Sequence, residues 1–505
     1  MNTLSSRAKR LGARLPPGPR PAFLVGNAFN FPRKAWYETF SLWADEYGMY
    51  SPHTSFKMLT LMTGEVVYIN LLGTPMIILN SLEAVTEIMD KRMSAYSNRP
   101  ASTMGKLTGL NFATARVQPG PEFNEQRRVF RKALSPQVVT GYDGFIQRDR
   151  DALLRRLDGF SGDPFEVFTK VIGAVITRIS YGEQFFRDHG EELVDNNVEI
   201  VNLATWMSTK LWLVDVFPLL QHLPDWLPGL TFKRIIRRAN ILIRKIRYQP
   251  FESIVSRIAD GTADESLLVK YLDEGSFSHN NLRDAIATLY GAAIDTTSTA
   301  LLNLFYIIVL YPEWQQKVHE ELDSVLGRGH LPTREEIRNL SIFNAVWKEA
   351  FRLNPPAPIG VPHVGMKEDV WRGYYFPKGT IVHCNIGQNS CILNCLLTMF
   401  TGYILREKGI WGEDSHSFNP TRFLPEFNPR AAELPNMLDL PFGFGRRICP
   451  GRHLADHIAP QYAVALLVTY QILPMEGHLL GGKIGFADSA VRRISGFQCH
   501  FKPRS

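Results

Sequence analysis

Phe442-Gly443-Phe444-Gly445-Arg446-Arg447-Ile448-Cys449-Pro450-Gly451 is the stretch on which the reading of this chain turns. One cysteine, Cys449, sits between glycine-bearing turns, and a helix-like run follows from His453 to Tyr470. The neighbouring cysteines are Cys395 and Cys499, and that spacing excludes a zinc knuckle or a CxxC redox pair. What remains is a lone thiol in a tight loop at a helix start. Unpaired backbone N–H groups and the helix dipole favour negative charge there, which holds a thiolate. Gly445 and Gly451 are expected to let the backbone pass close to a flat, bulky object. Arg446 and Arg447 supply charge for anionic groups at its edge. The alternative is a buried free cysteine in an ordinary loop.

Phe442, Gly445, Arg447, Cys449 and Gly451 fill every defined position of F-x-x-G-x-R-x-C-x-G. The stretch thereby resembles the haem-binding signature of the cytochrome P450 family. That resemblance implies haem b (iron protoporphyrin IX) with Cys449 as its axial iron ligand and Phe442 and Arg447 as cofactor contacts.

The chain has 505 residues, 45% apolar and 21% charged, a soluble-type composition. Five scattered cysteines do not suggest a disulfide framework. A net charge of +7 suits an acidic partner or an anionic membrane surface and does not argue for nucleic acid. Residues 1–20 are basic and end in Leu15-Pro16-Pro17-Gly18-Pro19-Arg20. No apolar run near the ~20 residues of a membrane span stands there, and no signal-peptide core either. Eukaryotic family members usually carry an anchor before such a proline-rich hinge. The expectation is therefore a peripheral membrane contact, or an incomplete start. Residues 21–505 are expected to form a single catalytic domain.

Further along, Val66–Asn80 reads as a hairpin around Gly73-Thr74-Pro75, and Ser81 as the cap of the next helix. Helical patterns dominate to about residue 355. The fold class is mainly α with small β-sheets, and the resemblance implies the P450 fold with a long central helix over the haem. In Glu122–Leu134 the family has W-x-x-x-R. Arg127 fits as a propionate contact, and Phe123 replaces the tryptophan, with loss of one N–H donor. Arg128, Arg131 and Lys132 would then face outward, as a solvated face or a reductase-docking face. Lys233–Arg247 is a basic amphipathic helix, read as core-packed with a charged outer face rather than lying on a membrane.

The second chemical motif, Ala292-Ala293-Ile294-Asp295-Thr296-Thr297, lies in a helix expected over Asn281–Tyr311 and stopped by Pro312. Small residues on one face admit a flat ring, and an acid beside a hydroxyl can move protons. The family motif is [A/G]-G-x-[D/E]-T-[T/S], with Ala293 in place of its glycine. By resemblance Thr296 would hydrogen-bond dioxygen and Asp295 would relay protons through water. Without Cys449, the same residues would read as helix-packing positions. Glu349-Ala350-Phe351-Arg352 matches E-x-x-R, and Arg422 supplies the later arginine of a structural charge network. His363 holds the position from which the family places a basic residue on a propionate.

The resemblance runs from about Leu15 to Arg504 and is strongest to fungal members. It implies a haem-thiolate monooxygenase, placing one oxygen atom of O2 in an apolar small organic substrate. It further implies a role in fungal secondary metabolism at the cytoplasmic side of the endoplasmic reticulum membrane. No G-x-G-x-x-G fingerprint is present, so electrons would come from NADPH through a separate NADPH-cytochrome P450 reductase. A haem-thiolate isomerase or dehydratase, or an inactive haem-binding relative, are the alternatives. Asp295-Thr296 argues against the isomerase or dehydratase.

Two stretches depart from the family pattern. Met49–Gly64 separates Glu46-Tyr47-Gly48 from Glu65-Val66-Val67-Tyr68, and Gly387–Thr401 separates Cys384-Asn385-Ile386 from Ile404-Leu405-Arg406. Both end in Leu-Thr-x-x-Thr-Gly, and their codons can encode intron donor and acceptor signals. They are expected to be insertions at 49–64 and 387–401 foreign to the fold, translated from retained introns; genuine loops are the alternative.

Overall fold

The computed structural model describes residues 2–32, 36–48, 64–208, 210, 212–227, 229–387, 404–437, 439–475, 485–487 and 490–504. They group into two compact units. The chain is mainly helical with small sheets, as expected.

The first unit comprises Met1–Ala101, Arg352–Asn419 and Leu434–Cys449. Its sheet takes the order Val66–Leu71, Thr74–Leu79, Ile381–Cys384, His363–Val364. The first two strands form the expected antiparallel hairpin. Its turn lies one step earlier than Gly73-Thr74-Pro75: Leu71 pairs Thr74, and Leu72 and Gly73 make the turn with φ of 50° and 88°. Two consecutive positive φ angles give the two-residue turn whose twist matches a hairpin, so Thr74 and Pro75 are free to pair. Thr74–Leu79 then runs parallel to Ile381–Cys384. Phe40, Trp43, Val67, Ile69 and Ile78 form the core beneath the sheet. Ser81 caps the next helix, accepting from Ala84 N at 3.1 Å. A π-helical turn, Thr86–Lys91, continues it.

Residues 49–63 and 388–403 lie outside the described residues, and with them most of the two expected insertions. The flanks of the second are described. Leu405 N donates to Ile386 O at 2.9 Å, and Ile404 N to Asn385 O at 3.3 Å. Gly64, the last residue of the first, accepts from Asn80 Nδ2 at 2.7 Å.

The second unit comprises Ser102–Phe351, Pro420–Glu433 and Pro450–Ser505. Its axis is the helix His279–Leu310, somewhat earlier at both ends than Asn281–Tyr311. Ser278 caps it, accepting from Asn281 N, and Pro312 opens the next helix. The helices Pro121–Ala133, Phe165–Tyr181 and Arg452–Thr469 pack around it. From Thr297 to Val309 every residue is buried. Phe305 stacks on Phe168 at 5.7 Å and meets Phe501 edge-on at 5.9 Å. Among the described residues this is the one helix long and apolar enough to cross a membrane, and 78% of that apolar window is inside the fold.

The basic helix forms as Phe232–Ile243 and continues through a π turn to Tyr248. Ala239, Leu242, Ile243 and Ile246 face inward, while Lys245 pairs with Glu192 at 2.9 Å and Arg238 with Glu199. It is core-packed, with a charged outer face.

Candidate functional site

In the first unit the signature loop folds back on itself. Cys449 N donates to Phe442 O at 2.8 Å, closing the loop. Gly443 and Gly445 take φ of 86° and 57°. A second constraint acts on Gly445, from the chain itself. A Cβ there would stand 2.3 Å from the carbonyl oxygen of Met89, so the glycine makes room for the π turn. Its N–H donates to Asp90 Oδ1 at 2.6 Å, which fixes the loop against that turn.

Three cysteines fall among the described residues. Cys384 and Cys499 are buried, and burial pushes their thiols up, to about 12 for Cys384 and higher for Cys499. Cys449 keeps accessible surface. Of the described cysteines, it is the one that a ligand can reach without unburying the residue.

Near this loop sits a positively charged group. Arg447 Nε donates to Ser97 O at 2.9 Å. His363 Nδ1 donates to Tyr96 O at 2.7 Å. Burial, then the positive charge of Arg99 and, more weakly, of Arg447, push the His363 imidazole down to about 3. It therefore sits neutral at ordinary pH, and the charge is carried by the two arginines. Arg99 was missed in the sequence. It is buried, with Nη1 donating to Val361 O and Pro362 O at 2.7 Å each. The signal available was Asn98-Arg99-Pro100, an arginine pinned in extended backbone by the following proline.

In the second unit the middle of the central helix is open along one stripe. Thr288, Gly291, Ala292, Asp295 and Thr296 keep accessible surface, while Leu289, Tyr290, Ile294 and Thr297 are buried. The spacing i, i+3, i+4, i+7, i+8 is one helical face. Thr296 Oγ1 donates to Ala292 O at 2.8 Å. Burial pushes the Asp295 carboxyl up to about 6, and the Arg493 charge opposes it. Arg127 lies half-buried on Pro121–Ala133, and Phe123 of that helix is buried. Arg128 and Lys132 are outward, with Lys132 on Glu274.

Glu349 and Arg352 share the helix Ser341–Leu353 and are fully buried. Arg422 Nε meets Glu349 Oε1 at 3.0 Å. Arg352 Nη1 donates to Leu405 O and Ser415 O at 2.7 Å each, and Nη2 to Ser417 O at 3.2 Å. These groups bind chain to chain.

The Cytochrome P450 family model matches residues 16–480, nearly the whole chain and both groups of residues just described. The chain belongs to the cytochrome P450 family. This P450 is 31% identical to cytochrome P450 monooxygenase 98 of Postia placenta, over 97% of its own length and 91% of the relative's. It is 30% identical to cytochrome P450 monooxygenase COX2 of Coprinopsis cinerea, over 98% and 90%. With cytochrome P450 monooxygenase claR of Ampulloclitocybe clavipes it shares 29%, over 97% and 87%. It is a haem-dependent monooxygenase, an oxidoreductase that draws on O2, an organic substrate and a redox partner.

Proposed function

We propose that Cys449 holds the haem iron of this P450 as a thiolate, with Arg99, Arg447 and Arg127 receiving the anionic edge of the cofactor, Phe442 fixing the loop, and His363, whose Nδ1–H is spent on Tyr96 O, joining the arginines only when the charge of a carboxylate brings it a second proton. The observation that carries the reading is that Cys449, in a self-bonded loop, is the one described cysteine that is not buried, whereas burial disfavours the anions of Cys384 and Cys499. When bound, the cysteine-ligated haem supplies the oxygen-activating chemistry. The chain's own part is to position and protonate. Thr296 presents a hydroxyl on the open stripe. Asp295, poised near pH 6, can give a proton and take another from water. Glu349, Arg352 and Arg422 keep the fold rigid around these groups. Electrons reach the site from NADPH through a separate reductase, and the substrate is an apolar small molecule of fungal secondary metabolism. The work is done at the cytoplasmic face of the endoplasmic reticulum membrane. Product formation with reductase and NADPH tests the reading. A product that forms without dioxygen would instead mean an isomerase or dehydratase.

Residues 49–64 and 387–401 are, in the same proposal, insertions into an otherwise complete fold. Hydrogen bonds that join Ile386 to Leu405 support this, because the described flanks meet without the intervening chain. Deleting both segments should raise haem incorporation on expression. A deletion variant that binds less haem, or full-length transcripts that mostly contain both segments, would refute it.

A further inference from the structure

His457 is a titratable group that the haem chemistry does not use. It lies in the second unit, on the helix Arg452–Thr469 that follows Cys449. The side chain is fully buried, and both ring nitrogens are engaged. Nε2 meets Asp143 Oδ1 at 2.6 Å, at the start of the helix Asp143–Leu157. Nδ1 meets Arg334 Nη1, at the start of the short helix Arg334–Arg338. Arg334 Nη2 also donates to Asp456 Oδ2 at 3.0 Å. One imidazole thus ties three helices together.

The two partners dictate the state of the ring. A guanidinium only donates, so Nδ1 must offer its lone pair. An ionised carboxylate only accepts, so Nε2 must carry the proton. The ring that satisfies both is neutral. A second proton, on Nδ1, would use up the lone pair and set an imidazolium against the guanidinium. Burial pushes the His457 pKa down; the Asp143 bond opposes this, and the Arg334 charge adds to it. The other charged groups here are Asp456, Arg338 and His453. Burial pushes the Asp456 carboxyl up against the charge of Arg334, so Asp456 is a second acid-responsive group. His330, exposed, has Nε2 3.2 Å from Glu336 Oε1, and a proton there would tighten the short helix rather than free it. Pro460 lies inside the helix that carries His457. It has no N–H for the carbonyl of Asp456, so that helix lacks a backbone bond at this turn.

We infer that His457 is an acid-sensitive latch, which joins the helices Asp143–Leu157, Arg334–Arg338 and Arg452–Thr469 while its ring is neutral and releases Arg334–Arg338 when Nδ1 takes a proton. The latch does not depend on which residue holds the iron. Once opened, the ring titrates in the ordinary histidine range. The contact is therefore complete above about pH 6.5, and opening rises about tenfold for each pH unit below it.

The test is hydrogen exchange of the haem-loaded protein at about pH 7.5 and about pH 5.5, corrected for the intrinsic rate and followed on the amides of residues 334–340. In the wild type their opening should rise about tenfold in acid. His457→Gln keeps a donor for Asp143 and cannot charge, so the rise should vanish. Arg334→Gln removes the cation that opposes the second proton, and the rise should vanish there too. Asp456→Asn should leave it in place. A wild type without the rise overturns the inference, and that reading needs no variant to fold. So does a rise that survives His457→Gln or Arg334→Gln. A rise lost in Asp456→Asn alone would make Asp456 the acid-sensitive group, and one shared equally by the whole chain would be general loosening; either result also overturns the latch.

Discussion

The two halves of the central helix obey different rules. From Thr297 to Val309 it is buried on all sides, and its side chains hold the fold, by packing and by hydrogen bonds such as that of Asn303 Nδ2 to Arg492 O. From Thr288 to Thr296 a stripe of small and polar residues stays open, and an aspartate there is held near a pKa of 6. One continuous hydrogen-bonded rod therefore does two jobs. The buried half fixes the rod, and the open half can then hold polar groups that contribute little to stability. The difference teaches that stability and chemistry are separable along this helix, and substitutions can test that separation.

The largest effect belongs to the buried half. Phe305→Ala removes a ring fully enclosed between Phe168 and Phe501 and should cost about 3–5 kcal/mol of folding stability. Thermal or denaturant unfolding of the haem-loaded protein measures it. A loss no larger than that of an exposed-site variant would break the comparison.

Thr296→Ala should do the opposite. Among the described residues its hydroxyl bonds only to a carbonyl of its own helix, so stability should change by no more than about 1 kcal/mol. Haem content and substrate binding should hold, while electrons divert severalfold towards peroxide. Peroxide released per NADPH consumed reads this. Unchanged coupling in both Thr296→Ala and Asp295→Asn would leave the two residues a packing role only.

A smaller effect is expected from pH. The Asp295 pKa is raised in the fold, so the folded state holds a proton that the unfolded chain has lost. Its contribution is complete below about pH 4, the ordinary aspartate range, and is lost as pH rises through about 6. Asp295→Asn should flatten that part of the stability profile. If the wild-type and variant profiles run parallel from pH 4 to about 7, the carboxyl is not held as described.

How far the sequence could be read follows from the range of each interaction. The signature loop, the Ala292–Thr297 motif and the limits of the central helix are local patterns, and they stood in the sequence to within two residues. The hairpin was legible, but its turn was placed on Thr74-Pro75, because proline marks turns more often than Leu72 does. Gly445 was read as room for a ligand. A further constraint comes from the carbonyl of Met89, far away in the chain, and no local pattern carries that. Arg99 was missed for the same reason. A single arginine in a loop becomes informative only when its burial is known. The charge network was legible as Glu349, Arg352 and Arg422, whereas the carbonyls that hold Arg352 were not.

The central claim is that Cys449, the described cysteine that is not buried, is the iron ligand. Carbon monoxide added to the reduced, haem-loaded protein tests it most directly. The account predicts the red-shifted Soret band of thiolate-ligated haem in the wild type, and its loss in Cys449→Ser and Cys449→His. A Cys449→Ser protein that keeps that band would contradict it.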